Sequence, residues 1–181
     1  TGDQLDRGSD EKAILDLFEQ LSREAWAAGG AFYPLVGNHE VMNVALDLRY
    51  VTPGGFADFS DTPIPKDDPR FAEIRPTARG RVAAFSPGGP YARVLAGHNV
   101  VMQVGDTVFA HGGVLPDHAR AGLDAINRSM QAWMHGGPTP PEEWLGSTAP
   151  TWTRLYSDGT PSLAACATLN ETLALLGANR M

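Results

Sequence analysis

Three short polar strings set the geometry this chain must achieve: Gly2-Asp3-Gln4-Leu5-Asp6-Arg7-Gly8, Gly37-Asn38-His39-Glu40 and His111-Gly112-Gly113. They stand beside apolar runs, where an ordered element hands over to a loop. A fold that uses them together must bring three junctions, distant in sequence, to one place. A string such as Gly-Asn-His-Glu arises by chance in a chain this long on the order of one time in a thousand, and the ordered set is rarer. The side chains on offer are carboxylates, an amide oxygen, imidazoles and a guanidinium. That inventory suits metal ions and a phosphoryl group held at once.

The spacing of Ile14, Leu17, Phe18, Leu21 and Ala25 predicts a helix over residues 10–28 with that stripe buried. Ser9 or Asp10 would cap it, Glu11 suits its first turn, and Gly29-Gly30 stops it. Phe32-Tyr33-Pro34-Leu35-Val36 reads as a short strand leading into the second string, with a helix over 41–48 after it. This βαβα order places the first two strings at strand-to-loop junctions, where α/β sheets gather their chemistry.

Residues 52–92 hold seven of the fourteen prolines. They read as a long excursion outside the regular core, with a short helix over 69–75, serving either as a solvated loop or as a rim that shapes access. Residues 100–104 and 107–110 flank Gly105-Asp106 and predict a hairpin that ends where His111 is presented. A helix over 119–134 buries Leu123, Ile126, Met130 and Trp133. A last helix over 162–176 turns Leu169, Leu173 and Leu176 inward and stops at Gly177. His98, His118 and His135 lie in no motif and read as surface or capping residues. Cys166, the single cysteine, reads as buried filler on a helix face.

At 181 residues the chain is one domain. Fourteen basic against twenty-one acidic residues give a net charge of −7, which argues against nucleic acid as a partner. No apolar run is long enough for a membrane span in this segment.

The strings Gly-Asp-x-x-Asp-Arg-Gly, Gly-Asn-His-Glu and His-Gly-Gly resemble the signature of the calcineurin-like metallophosphoesterases, and more closely the phosphoprotein phosphatase family. Pro87-Gly88-Gly89-Pro90, the stretch from Val104 through His111 to Val114, and Trp152-Thr153-Arg154 are similar to the bacterial Shewanella-like protein phosphatases. The resemblance implies an α/β fold, a metallophosphoesterase-type sandwich of two mixed sheets flanked by helices. It also implies truncation at both ends. The family's Asp-x-His string is expected before Gly2, and its Gly-His-Thr-type string is expected near Met181. On that expectation residues 1–181 are one partial domain of a longer product, and the ligand set here is incomplete.

The resemblance further implies phosphomonoester hydrolysis by metal-bound hydroxide at two divalent ions, manganese first, with iron or zinc as alternatives. Asp3 would bridge the two ions, unless it is only a turn aspartate. Asn38 and His111 would ligate the second ion, and Asn38 would also face the substrate phosphate. His39 would be the general acid toward the leaving oxygen. Asp6 would fix its tautomer, the alternative being a salt bridge to Arg7. Arg7 and Arg154 would clamp phosphate oxygens, although Arg154 also reads as a surface arginine. Glu40 would anchor its loop. The implied substrate is a phosphoprotein or phosphopeptide, on Ser/Thr or Tyr. The alternatives are a diadenosine-polyphosphate hydrolase and a non-catalytic scaffold of the same fold.

Overall fold

α1 (Glu11–Ala27) runs where its periodicity places it, but its face is turned. In the computed structural model, which describes residues 1–181, its fully buried residues are Glu11 and Leu15, while Ile14 and Leu17 are 38% and 48% exposed. The cause is a charge. The Glu11 carboxylate lies 2.6 Å from the guanidinium of Arg81, itself wholly buried. A buried ion pair must be kept together, because stranding one partner is costly. That requirement rolls the helix away from its purely apolar stripe.

α2 (Asn38–Val44) begins on the second string itself, three residues earlier than expected. Glu40, in its first turn, reaches back to accept the N–H of Gly37 at 2.6 Å, half of a capping box. Asn38 and His39 are therefore carried on a helix start.

Residues 52–92 differ most from expectation. They form α3 (Pro53–Ala57), α4 (Arg70–Glu73), α5 (Pro76–Phe85) and the start of α6 (Pro90–Leu95). Their prolines start helices instead of excluding them: Pro53, Pro76 and Pro90 each occupy the first turn, where a missing N–H costs nothing. Thr52 caps α3 through its hydroxyl, which accepts the N–H of Gly55 at 2.9 Å. α5 is buried along most of its length, and Ala84 and Phe85 join the main core with Phe59. The segment is thus a wall of the core.

β1 (Val101–Val104) and β2 (Thr107–Ala110) make the expected antiparallel hairpin across Gly105 and Asp106. Single parallel bridges flank it, Leu35 to Asn99 on one side and Thr107 to Arg180 on the other. Of the implied sheets, these residues contribute this one mixed ladder. The run around Leu35 extends no further because Val36 donates to Asn99, whereas Pro34, two residues back on the same side, has no N–H to offer.

The expected helix over 119–134 is two helices, α7 (Pro116–Ala121) and α8 (Leu123–Met134), divided at Gly122 with φ 90°. Ile126, Met130 and Trp133 of α8 pack into the core as anticipated. Asn127 tapes this helix to β1, accepting the N–H of Val100 and Val101 and donating to the Val101 carbonyl. α9 (Leu163–Leu176) is capped by Ser162 and stopped by left-handed Gly177. Its buried face is Ala165 and Thr172, with Leu169, Leu173 and Leu176 half-buried, so Cys166 is exposed and not core filler. No helix is long and apolar enough to cross a membrane.

Candidate functional site

Four backbone N–H groups converge on one buried carboxylate. Glu40 accepts from Asp3 and Gln4 at 2.8 Å, from Leu5 at 3.0 Å and from Gly37 at 2.6 Å. Burial pushes its carboxyl above the ordinary range, and the N–H groups of Gly37, Asp3 and Leu5, which favour the anion, oppose that. This clamp joins the first string to the second. The backbone it helps to hold is unusual: Asp3, Asp6 and Arg7 all lie in the left-handed region, at φ 58°, 71° and 60°, the Asp6 N–H given to Glu11 and the Arg7 N–H to the Tyr50 carbonyl. Such conformations are unfavourable for residues with a Cβ and persist only where the surroundings impose them. Gly2 and Gly37 permit the contact, since a Cβ on Gly2 would stand 2.6 Å from the Gly37 backbone.

The loop so formed directs Asp3 toward His111. Asp3 Oδ2 lies 3.3 Å from His111 Nε2, and Asp3 Oδ1 accepts the His39 N–H at 3.1 Å. His111, at the end of β2 as expected, has its other nitrogen, Nδ1, 2.8 Å from the Thr1 carbonyl and 3.0 Å separates its Nε2 from Asn38 Oδ1. A carbonyl only accepts, so Nδ1 carries the proton. Nε2 then presents a lone pair to a carboxylate oxygen and an amide oxygen. Three converging acceptors require a cation among them, either a proton on Nε2 or a metal ion. Burial pushes Asp3 up, yet the His111 ring and the His39 N–H outweigh it and hold Asp3 below the usual carboxylate range; Asp3 in turn raises His111.

His39 sits beside this cluster, its ring almost fully buried, with Nε2 4.0 Å from Asp3 Oδ2. Its Nδ1 is 2.7 Å from Asp6 Oδ2, and the Asp6 side chain is completely buried. Asp6 Oδ1 accepts from Asn43 at 3.0 Å and from Arg81 at 3.3 Å. Asp6 therefore faces inward, away from Arg7.

Arg7 and Arg154 reach the site through different neighbours. The Arg7 guanidinium stands 5.0 Å from the ring centre of Tyr50, whose ring also packs edge-on against His39. Arg154 extends an Nη2 to 3.4 Å from Asn38 Oδ1. It is placed by the His-Gly-Gly string, because Gly112 and Gly113 both donate to the Pro150 carbonyl and so pin the loop that carries it.

Asp3, Asp6, Arg7, Asn38, His39, His111 and Arg154 thus come together. Sequence reasoning missed Asn43, Tyr50 and Arg81. Asn43 had a signal, four residues after His39 on the same helix face, and it donates back to the His39 carbonyl. Tyr50 and Arg81 had none. The remaining histidines divide: His135 is exposed, while His118 is buried and its Nδ1 accepts the Leu115 N–H. His98 is buried against Glu19, contrary to a surface reading.

The profile of the calcineurin-like phosphoesterases matches residues 1–171. Shewanella-like protein phosphatase 2 of Arabidopsis thaliana is 36% identical, over 99% of this chain and 54% of its own length. Among solved structures, a cold-active protein tyrosine phosphatase superposes with TM-score 0.71 at 22% identity, over 99% of this chain and 50% of that one. The cold-active protein-tyrosine phosphatase of a psychrophilic Shewanella species gives 0.67 at 23%, with 99% and 51% covered. The chain spans about half the length of these proteins.

Proposed function

The chain belongs to the calcineurin-like phosphoesterase family, and from that premise we propose that it hydrolyses phosphate monoesters on proteins, phosphotyrosine first. The observation that carries the reading is the relay at His39. A buried carboxylate, Asp6, holds Nδ1 at 2.7 Å, so that Nε2 is turned toward Asp3 and the cluster it forms with Asn38 and His111.

The convergence of the Asp3 carboxylate, the Asn38 amide oxygen and the His111 Nε2 fits divalent cations, and these three residues would hold them. Bound there, such ions supply charge neutralisation for the phosphoryl group and a more acidic water; manganese is the first candidate. The chain's own residues do the rest. Arg7 and Arg154 present forked donors that match two phosphate oxygens each, and neither has a carboxylate partner to release first. With Nδ1–H given to Asp6, a second proton on His39 Nε2 is the one passed to the departing oxygen, a contribution of about 10²–10⁴ in rate. Asp6 stabilises the imidazolium before transfer and keeps the ring orientation after it.

Tyrosine is favoured over serine and threonine by Tyr50, 41% exposed beside both Arg7 and His39. An aromatic leaving group finds a ring there to pack against. The two solved structures of similar fold are also of protein tyrosine phosphatases.

The test is Mn²⁺-dependent phosphate release from a phosphotyrosine peptide by the full-length protein. Turnover that needs the ion and falls by about 10²-fold or more in His39→Ala supports the reading. Metal bound with no release from any phosphopeptide overturns it.

A further inference from the structure

We propose that Arg81, on α5 and 38 residues beyond Asn43, is a positioning residue for the acid step, acting on His39 through Asp6. The inference rests on the phosphatase reading above and adds to it a residue from outside all three motifs.

The observation is a buried guanidinium whose three nitrogens each meet an oxygen partner. Arg81 is 0% exposed. Its Nε donates to Asn43 Oδ1 at 2.8 Å and its Nη1 to the Gly55 carbonyl at 2.8 Å, with Glu11 Oε2 2.6 Å away. Its Nη2 reaches Asp6 Oδ1 at 3.3 Å. The rings of Phe59 and Phe85 flank it, each with its centre about 5 Å from the guanidinium carbon (5.2 and 5.1 Å). A core that needed only filling would place an apolar side chain here, because desolvating this many charges gains little stability by itself.

The geometry points to what the charge does. Asp6 has two oxygens. Arg81 and Asn43 occupy Oδ1 together, which leaves Oδ2 for the Nδ1–H of His39 alone. Asn43 is itself fixed by Arg81, since its oxygen takes the Nε–H while its nitrogen serves Asp6 and the His39 carbonyl. One guanidinium therefore sets the carboxylate rotamer, the amide orientation and, through them, the histidine tautomer. Without it Asp6 is a buried carboxylate lacking a cation, free to turn away from the ring. Lysine cannot substitute: a single ammonium does not span Asp6, Asn43 and Gly55 with a fixed fork.

Two measurements test this. The first needs no metal and no turnover: ¹⁵N spectra of histidine-labelled protein report which ring nitrogen of His39 carries the proton. Wild type is expected to show the Nδ1–H form alone, and Arg81→Lys a mixture of both forms. The second uses the Mn²⁺-loaded full-length protein with two esters of unequal leaving ability. Phenyl phosphate needs proton donation to depart, whereas 2,4-dinitrophenyl phosphate does not. Arg81→Met and Arg81→Lys are expected to lower kcat on phenyl phosphate by about 10–100-fold, the usual range for a supporting hydrogen-bond partner. On the dinitrophenyl ester the loss is expected within about threefold, with KM within about twofold on both. Adding either Arg81 substitution to His39→Ala removes nothing further.

Equal losses on both esters, losses additive with His39→Ala, or an unchanged tautomer overturn the proposal. Loss of the folded state in both variants assigns Arg81 to the core alone and overturns it too. A shifted tautomer together with an inactive wild type keeps Arg81 as the residue that positions His39 and removes the phosphatase reading instead.

Discussion

Glu40 holds Asp3 by its backbone and not by its charge: Glu40 Oε2 accepts the Asp3 N–H at 2.8 Å while the Asp3 carboxylate is left free for His111. The first motif is thus shaped by the last residue of the second. Glu40→Gln keeps the size but turns an NH₂ toward amides that can only donate. Up to two of the four N–H groups lose their acceptor, at about 1–3 kcal/mol each. We expect a destabilisation of about 3 kcal/mol, read as a lower urea midpoint at unchanged m-value. Activity should fall with it even at temperatures where the variant is folded.

Arg7 and Tyr50 form a second pair with a separable effect. The guanidinium rests against the ring at 5.0 Å, a contact worth about 0.5–1 kcal/mol at an exposed site. Tyr50→Leu should raise KM for a phosphotyrosine peptide several-fold and leave KM for a phosphoserine peptide nearly unchanged. Arg7→Lys should cost more on both, about 10-fold or more in kcat/KM, because one forked pair of hydrogen bonds to phosphate is lost. Steady-state kinetics on the two peptides separate these outcomes.

His98 and His118 make stability depend on pH. Burial lowers the pKa of each from its ordinary 6.5. The unfolded chain then binds more protons than the folded one below that value, so stability is present above pH 6.5 and lost as pH falls through the lowered values. His111 works in the opposite sense, because Asp3 raises it: its contribution is present at low pH and lost as pH rises past the raised value. Comparison with a variant isolates the first two. His98→Gln combined with His118→Gln should show a smaller drop in thermal midpoint between pH 7 and pH 5 than wild type, both measured without metal.

Some of this was legible in the chain and some was hidden for definite reasons. The three motifs announced their own residues, and the hairpin ending at His111 followed from Gly105-Asp106 between β-rich runs. The ends of α1 were read to within a residue, but not its rotation, because Glu11 is drawn inward by Arg81 and apolar periodicity has no term for a buried ion pair. The prolines of 52–92 were taken as breakers, whereas Pro53, Pro76 and Pro90 stand in first turns, where proline is welcome. A single letter does not distinguish the two uses. Arg81 was invisible for the same kind of reason. An arginine in a mixed helix reads as surface, and only the pocket left by Phe59, Phe85 and Gly55 shows that it is not.

The left-handed residues Asp3, Asp6 and Arg7 carry a consequence for when the site comes into being. Left to itself, residues 1–8 would prefer ordinary extended or helical backbone, since each left-handed residue with a Cβ costs about 1–2 kcal/mol. The docked carboxylate of Glu40, with Glu11 accepting the Asp6 N–H and the Tyr50 carbonyl accepting the Arg7 N–H, makes the strained form the stable one. The first motif is therefore correct only after the second has arrived, and the two are won or lost in one cooperative event. In amide hydrogen exchange, Asp3, Gln4, Leu5 and Gly37 should open together, as a single unit that shares one protecting side chain 36 residues away from Gln4 in sequence.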